Sequence, residues 1–309
     1  RVVTTGLYWV FFTIGYENPA IYAAGFSIGV FISLIGTLVI GERIAREDGS
    51  KLPEHWNSNK TLFISALPFA VTLGILPYVT KLEKFLLAGL TSYSEVSIYH
   101  VAQLAWIAGL MLPQAMRAAL LPYLGEVRDK PRNFSKRMLI AHHWTLILLP
   151  VGLIAGHLIV SFSIPMFFDS EYSQAVEVFD ILLAGWAITL LAIPWYVALQ
   201  AGNNPWRFTS LIALVVLAAA ISGWLLIPEN GVMGAAWASV IGCSIMLSCS
   251  KLLCGDDEGL TDGLALFCVA TCYLLSIGSP LAAIGLLTVI PAWKSIGYLR
   301  SLDHTLEEE

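Results

Sequence analysis

The sequence predicts an all-α polytopic membrane protein of about ten transmembrane helices, and three observations predict it. The chain is 57% hydrophobic with a mean hydropathy of +0.74, and its 13% charged content is about half the ~25% usual in soluble domains. Apolar runs of spanning length recur from end to end, with turn chemistry between them. The cations gather in alternate connections. A net charge of −5 says little by itself, because the positive-inside effect depends on where Lys and Arg sit. A soluble fold does not fit this composition, and nothing in it supports nucleic-acid binding.

Allowing ~20 residues per helix, the runs fall near 3–16, 20–41, 61–80, 95–124 and 138–161, then 175–200, 208–227, 232–253, 262–278 and 280–299. The first is short and the fourth long. The breaks carry turn residues: Glu17-Asn18-Pro19, Asn203-Asn204-Pro205, Pro228-Glu229-Asn230-Gly231 and Gly278-Ser279-Pro280. No strand pattern competes with them. The chain starts at Arg1 without a signal-peptide pattern, so the expectation is a piece of a longer protein.

Charge placement orients the runs. Arg43, Arg46, Lys51 and Lys60 share one set of connections with Arg128, Lys130, Arg132, Lys136, Arg137, Arg207, Lys251, Lys294 and Arg300. The opposite connections, at 17–19, 90–94, 162–174, 228–231 and 278–280, carry no Lys or Arg. With Arg1 on the basic side, all but three of the 17 cations obey the rule, which places the N-terminus in the cytoplasm. The exceptions are Lys81, Lys84 and Arg117. Trp56, Trp144, Trp206 and Trp293 lie near proposed boundaries and read as interfacial anchors.

One stretch, Leu226 to Ser239, predicts a specific packing device. An apolar run ends at Pro228, and a helix of small residues begins: Gly234, Ala238 and Gly242 form one row, and Gly231, Ala235, Ser239 and Cys243 a second. In lipid, where apolar burial drives helix association weakly, close approach between small residues holds helices together. The expectation is a hairpin whose second helix is a packing spine.

The segments Leu82-Glu83-Lys84-Phe85-Leu86-Leu87-Ala88-Gly89-Leu90, Tyr99-His100-Val101-Ala102 and Leu121-Pro122 come in order. Phe168 to Tyr172 with Ala175, Leu199-Gln200-Ala201-Gly202-Asn203, and the Leu226 to Ser239 hairpin follow. In that order and spacing, from about Ser65 to Gly242, the chain resembles polysaccharide flippases of the Wzx type. These belong to the multidrug/oligosaccharidyl-lipid/polysaccharide exporter superfamily. Asp169 departs from the pattern, where family members usually have Gly. The resemblance implies two six-helix lobes around a cavity that opens alternately to each side. Residues 1–42 would then be the last two helices of the first lobe and 43–60 the cytoplasmic inter-lobe loop. Residues 61–254 would be the second lobe, and 255–309 two additional helices with a cytoplasmic tail. Lacking the first four helices, the chain alone would not transport. The implied partners are a lipid-linked oligosaccharide, membrane lipids, a coupling H+ or Na+, and polysaccharide assembly proteins, and the implied location is a bacterial inner membrane.

An intramembrane charge costs about 2.5 to 3.5 kcal/mol at a helix centre, so each one needs a reason. Lys81 and Lys84 would attract the diphosphate or acidic sugars of the glycolipid, and Glu83 would bind the coupling ion. Equally, the cluster would cap an outer helix end, with Glu83 paired to a snorkelling lysine, since residue 81 lies about 31 Å along a straight helix from Lys60. Arg117, about 12 Å from Gly125 by the same rise, would either reach the interface with its long side chain or face the cavity beside Gln114, and the second is favoured slightly because Pro113 and Pro122 leave carbonyls there that need partners.

His142 and His143, beside Trp144, read as interfacial, and His100 and His157 likewise. No metal spacing occurs among them, and the five cysteines, Cys243, Cys249, Cys254, Cys268 and Cys272, read as packing residues. The chain has neither a phosphate-binding Gly-rich loop nor a nucleophile elbow, so no cofactor is expected. The reading is a non-enzymatic transporter that flips an undecaprenyl-diphosphate-linked repeat unit for surface polysaccharide assembly. Two alternatives stand beside it: an ion-coupled small-molecule antiporter of the same superfamily, which an acidic cavity would favour, and a membrane-embedded glycan polymerase, ligase or acyltransferase.

Overall fold

A computed structural model describes residues 59–202, 204–254, 289 and 291–299, and the architecture below is that of the unit Ala66–Glu309. The expected helices at 3–16, 20–41 and 262–278, and the connection 43–60 as far as residue 58, lie outside the described residues; so do Trp56, Cys268 and Cys272. Of the run 280–299, residues 291–299 are helical.

Every described element is a helix: α1 (Asn59–Ile75), a 3-10 turn (Leu76–Thr80), α2 (Leu82–Leu90), α3 (Tyr93–Gly109) and α4 (Met111–Gly125). Next come α5 (Pro131–Phe167), a 3-10 turn (Ser170–Tyr172), α6 (Gln174–Ala201) and α7 (Pro205–Cys254). Among the described residues, four stretches are long and apolar enough to cross a membrane: Tyr93–Gly125, Pro131–Phe167, Ser170–Ala201 and Pro205–Cys254. Large apolar side chains such as Val151, Phe162, Leu217 and Trp224 point outward and exposed, as a lipid environment allows. Trp144, Trp206 and Trp293 are exposed as well.

The expected hairpin is the hinge of α7. Gly231 takes φ 53° and ψ −129° and turns the chain back on itself, a conformation open to glycine at low cost. The first small-residue row then meets the incoming half: Gly234 lies against the Leu226 backbone, and Gly242 against Ala219 and Val215. Ala238 faces Gly223. The second row turns to α6, where Cys243 and Val240 touch Gly185 and Thr189 donates to Cys243 Sγ at 3.4 Å. Both faces of the spine are therefore occupied by protein.

Helix α6 is the hub, buried along most of its length, with α3, α4, α5 and α7 packed around it. Its Trp186 carries two connections. The indole ring lies on Gly152 of α5, while Leu183 lies on Gly156 one turn away, so a Gly-x-x-x-Gly pair makes room for two large side chains. The indole Nε1 donates to Gly109 O at 2.9 Å. Pro113, four residues on, has no N–H for that carbonyl, and α3 gives way to α4 at Leu110. Trp186 thus satisfies the group that the proline frees. Gly152→Val drives a side chain into this ring, and we expect it to destabilise the detergent-solubilised chain by about 1–3 kcal/mol. Gly89→Val, with open space around its Cα, is the matched control in a thermal unfolding series.

The histidines of α5 meet specific partners. His142 is buried, its ring tilted 67° to that of Trp195 with the centroids 4.6 Å apart, and Lys251, also buried, has its Nζ 4.2 Å from the centroid of the same indole. His143 Nδ1 lies 3.0 Å from Ser295 Oγ. His157 Nδ1 is 2.7 Å from Asp180 Oδ1, with Ser161 Oγ 3.5 Å from the other ring nitrogen. Intramembrane imidazoles here are held by specific partners.

Candidate functional site

The path from α1 to α2 is what builds the site. A straight helix from Lys60 would carry residue 81 to the far boundary, but the chain tightens into the 3-10 turn at Leu76–Thr80, which opens with Pro77, and resumes as α2. The carbonyl of Thr80, at that break, accepts from Gln103 Nε2 at 2.7 Å, and Gln103 is 1% exposed. A buried amide from α3 therefore supports an interrupted helix, as backbone at membrane depth requires.

Helix α2 then sorts its charges by face. Glu83 and Leu87, one turn apart, are buried, with Glu83 1% exposed. Lys81 is exposed. Lys84 faces α3, where its Nζ lies 2.6 Å from His100 Nδ1. Among the described residues no ion pair joins Glu83 to either lysine, so the expected capping pair is not formed. The cluster sits at the start of α2, with Lys81 at its N-cap and Glu83 in its first turn, and helix continues beyond it to Leu90.

Glu83 opens instead into a cavity of about 400 Å³, bounded by the 3-10 turn, α3, α4, α6 and both halves of α7. Gln114 and Arg117 line the same cavity, and Lys81 and Lys84 do not. Residues 114 and 117 share one face of α4 by their i, i+3 spacing. Arg117 is half-buried, and its Nε donates to Gln200 Oε1 of α6 at 3.1 Å. The freed Gly109 carbonyl is taken by Trp186, so Arg117 is positioned by a carboxamide and not by a proline-released backbone group. A guanidinium has five N–H donors in a planar fork, which leaves the rest of the fork for a ligand.

The wall is otherwise apolar and aromatic, with a few polar groups set into it. Trp106, 5% exposed, lines the cavity with its indole Nε1 unpaired. Tyr99, fully buried, lies within the field of Glu83 and has an unpaired hydroxyl. Leaving a buried donor unmet costs about 1–3 kcal/mol, and an aromatic N–H at a cavity wall is available to a bound oxygen. The charges of the lining balance, one Glu83 against one Arg117.

Sequence reasoning brought Glu83, Gln114 and Arg117 forward and missed Gln103, Trp106 and Gln200. For Gln103 and Gln200 a signal existed, since an amide inside an apolar run carries the same demand for a partner as a charge does. Comparison with family models, with curated proteins and with solved structures finds no match for this chain.

Proposed function

We propose that this chain belongs to a membrane transporter that flips a lipid-linked oligosaccharide, an undecaprenyl-diphosphate repeat unit, across the cytoplasmic membrane for surface polysaccharide assembly. Residues 61–254 are read as its second six-helix lobe, with the basic connections cytoplasmic and about ten spans in the chain. The observation that carries the reading is the placement of the cavity at the joint of two interrupted helices, α1/α2 and α3/α4, with Arg117 and Gln114 on an apolar and aromatic wall. Transporter sites form where membrane helices are broken. An arginine fork suits phosphate, and the aromatic rings suit the faces of sugars.

A second reading, the ion-coupled small-molecule antiporter, gains from one observation: Lys81 and Lys84 lie outside the cavity, and Glu83 lies within it. The discriminating experiment expresses the full-length protein in cells deleted for the flippase of the matching pathway and measures surface glycan. Wild type is expected to restore glycan, and Arg117→Ala at equal expression to lower it at least about ten-fold, the loss of one charge-assisted contact. If wild type leaves glycan absent but lowers accumulation of cationic dyes, the antiporter reading replaces the first.

A further inference from the structure

A second cavity, of about 480 Å³, lies away from the central one, between α5, α6 and the two ends of α7. Its polar rim carries Arg128, Arg207, Ser135 and Asn204, and its floor includes Phe134 and Met138. Two features of the local sequence make the rim electropositive. Arg128 lies in the α4–α5 connection, three residues before α5 starts at Pro131, and Arg207 lies in the first turn of α7, which starts at Pro205. The cavity thus gathers two guanidinium groups near two helix N-termini, the positive ends of the helix dipoles. The only carboxylate within ion-pair range of either arginine among the described residues is Asp129, 3.8 Å from Arg128 Nε and 83% exposed. Both arginines are exposed.

We infer that this groove binds an anionic phospholipid, with the headgroup phosphate between Arg128 and Arg207 and the acyl chains along Phe134 and Met138. The split between rim and floor selects this occupant. A soluble phosphate would use the arginines and leave the apolar floor unfilled, whereas a neutral lipid would fill the floor and leave the arginines unmatched. The groove also sits at the end of the helices where the basic residues gather, the position of an anionic leaflet surface. The site stands independently of what the central cavity carries.

The test is native mass spectrometry of the purified chain in detergent with dioleoyl phosphatidylglycerol, dioleoyl phosphatidylcholine, or inorganic pyrophosphate added. The phosphatidylglycerol adduct is expected to form about ten-fold more tightly than the phosphatidylcholine adduct. Arg128→Gln/Arg207→Gln is expected to bring the two to the same level, and Lys136→Gln, which removes a charge from α5 outside the groove, to leave them as in wild type. Should the double variant lose its monodisperse elution, Arg207→Gln alone is expected to weaken phosphatidylglycerol at least three-fold. Equal loss in Lys136→Gln would overturn the proposal in favour of diffuse surface charge. Pyrophosphate that competes away phosphatidylglycerol at equal concentration would overturn the lipid as occupant.

Discussion

Gly234→Leu is expected to lower the thermal midpoint of the detergent-solubilised chain by on the order of 10 °C, following a loss of about 3–5 kcal/mol. The site has no slack. A Cβ at Gly234 would press into the carbonyl and backbone of Leu226 across the hairpin, and backbone cannot swing aside as the end of a long side chain can. Relief requires the two halves of α7 to part. That parting also removes the contacts of Gly242 with Val215 and Ala219. It disturbs α6 next, because the second face of the spine rests there through Val240 and Cys243. Gly234→Ala is expected to show a smaller loss of the same kind, since the clash begins at Cβ. The control is Gly89→Leu, at an exposed position with nothing near its Cα, and it is expected to leave the midpoint within a degree or two. Fluorescence-detected size exclusion after heating reads all three. Equal midpoints for Gly234→Leu and Gly89→Leu would show that the small-residue face is not what holds the hairpin.

The hairpin was legible in the sequence because its causes are local. Pro228 and Gly231 punctuate the run, and the four-residue rows specify which face can meet a backbone. The site was legible only in part, and the reason lies in two assumptions. Locating Lys81 by counting rise assumes a straight helix, and Pro77 breaks it, so that Glu83 comes to rest inside the bundle and Lys84 against His100. Searching for misplaced charge among cations alone passed over Asp180, which stands within an apolar run and meets His157 from 23 residues away. Pairings of that kind depend on which helix faces which, and apolar periodicity in lipid carries little of that information, because lipid-facing and protein-facing residues are both apolar. Gly152 and Gly156 did carry it. Their spacing is a packing signal, and the large residues that fill it, Trp186 and Leu183, follow only from the fold.

Glu83→Gln is expected to separate stability from function: a thermal midpoint equal to or above that of wild type, with surface glycan reduced to the level of the deletion strain. The side chains have nearly the same volume, so packing against Leu87 and the cavity wall is kept. What changes is charge. Glu83 is 1% exposed and forms no ion pair among the described residues, and burying an uncompensated carboxylate is costly where a neutral amide is much less so. Its surroundings offer a phenol at Tyr99 and a thiol at Cys243, neutral groups that leave the carboxylate to take up and release a coupling proton, with the Arg117 guanidinium lining the same cavity. An acid retained at a cost to stability is what a working site looks like. The two readouts are taken on the same preparations, the midpoint on purified protein and the glycan in cells at equal expression. Full transport by Glu83→Gln would remove Glu83 from the coupling role. A midpoint several degrees lower would instead make the carboxylate part of a stabilising polar network, with Tyr99 as the first partner to test by Tyr99→Phe.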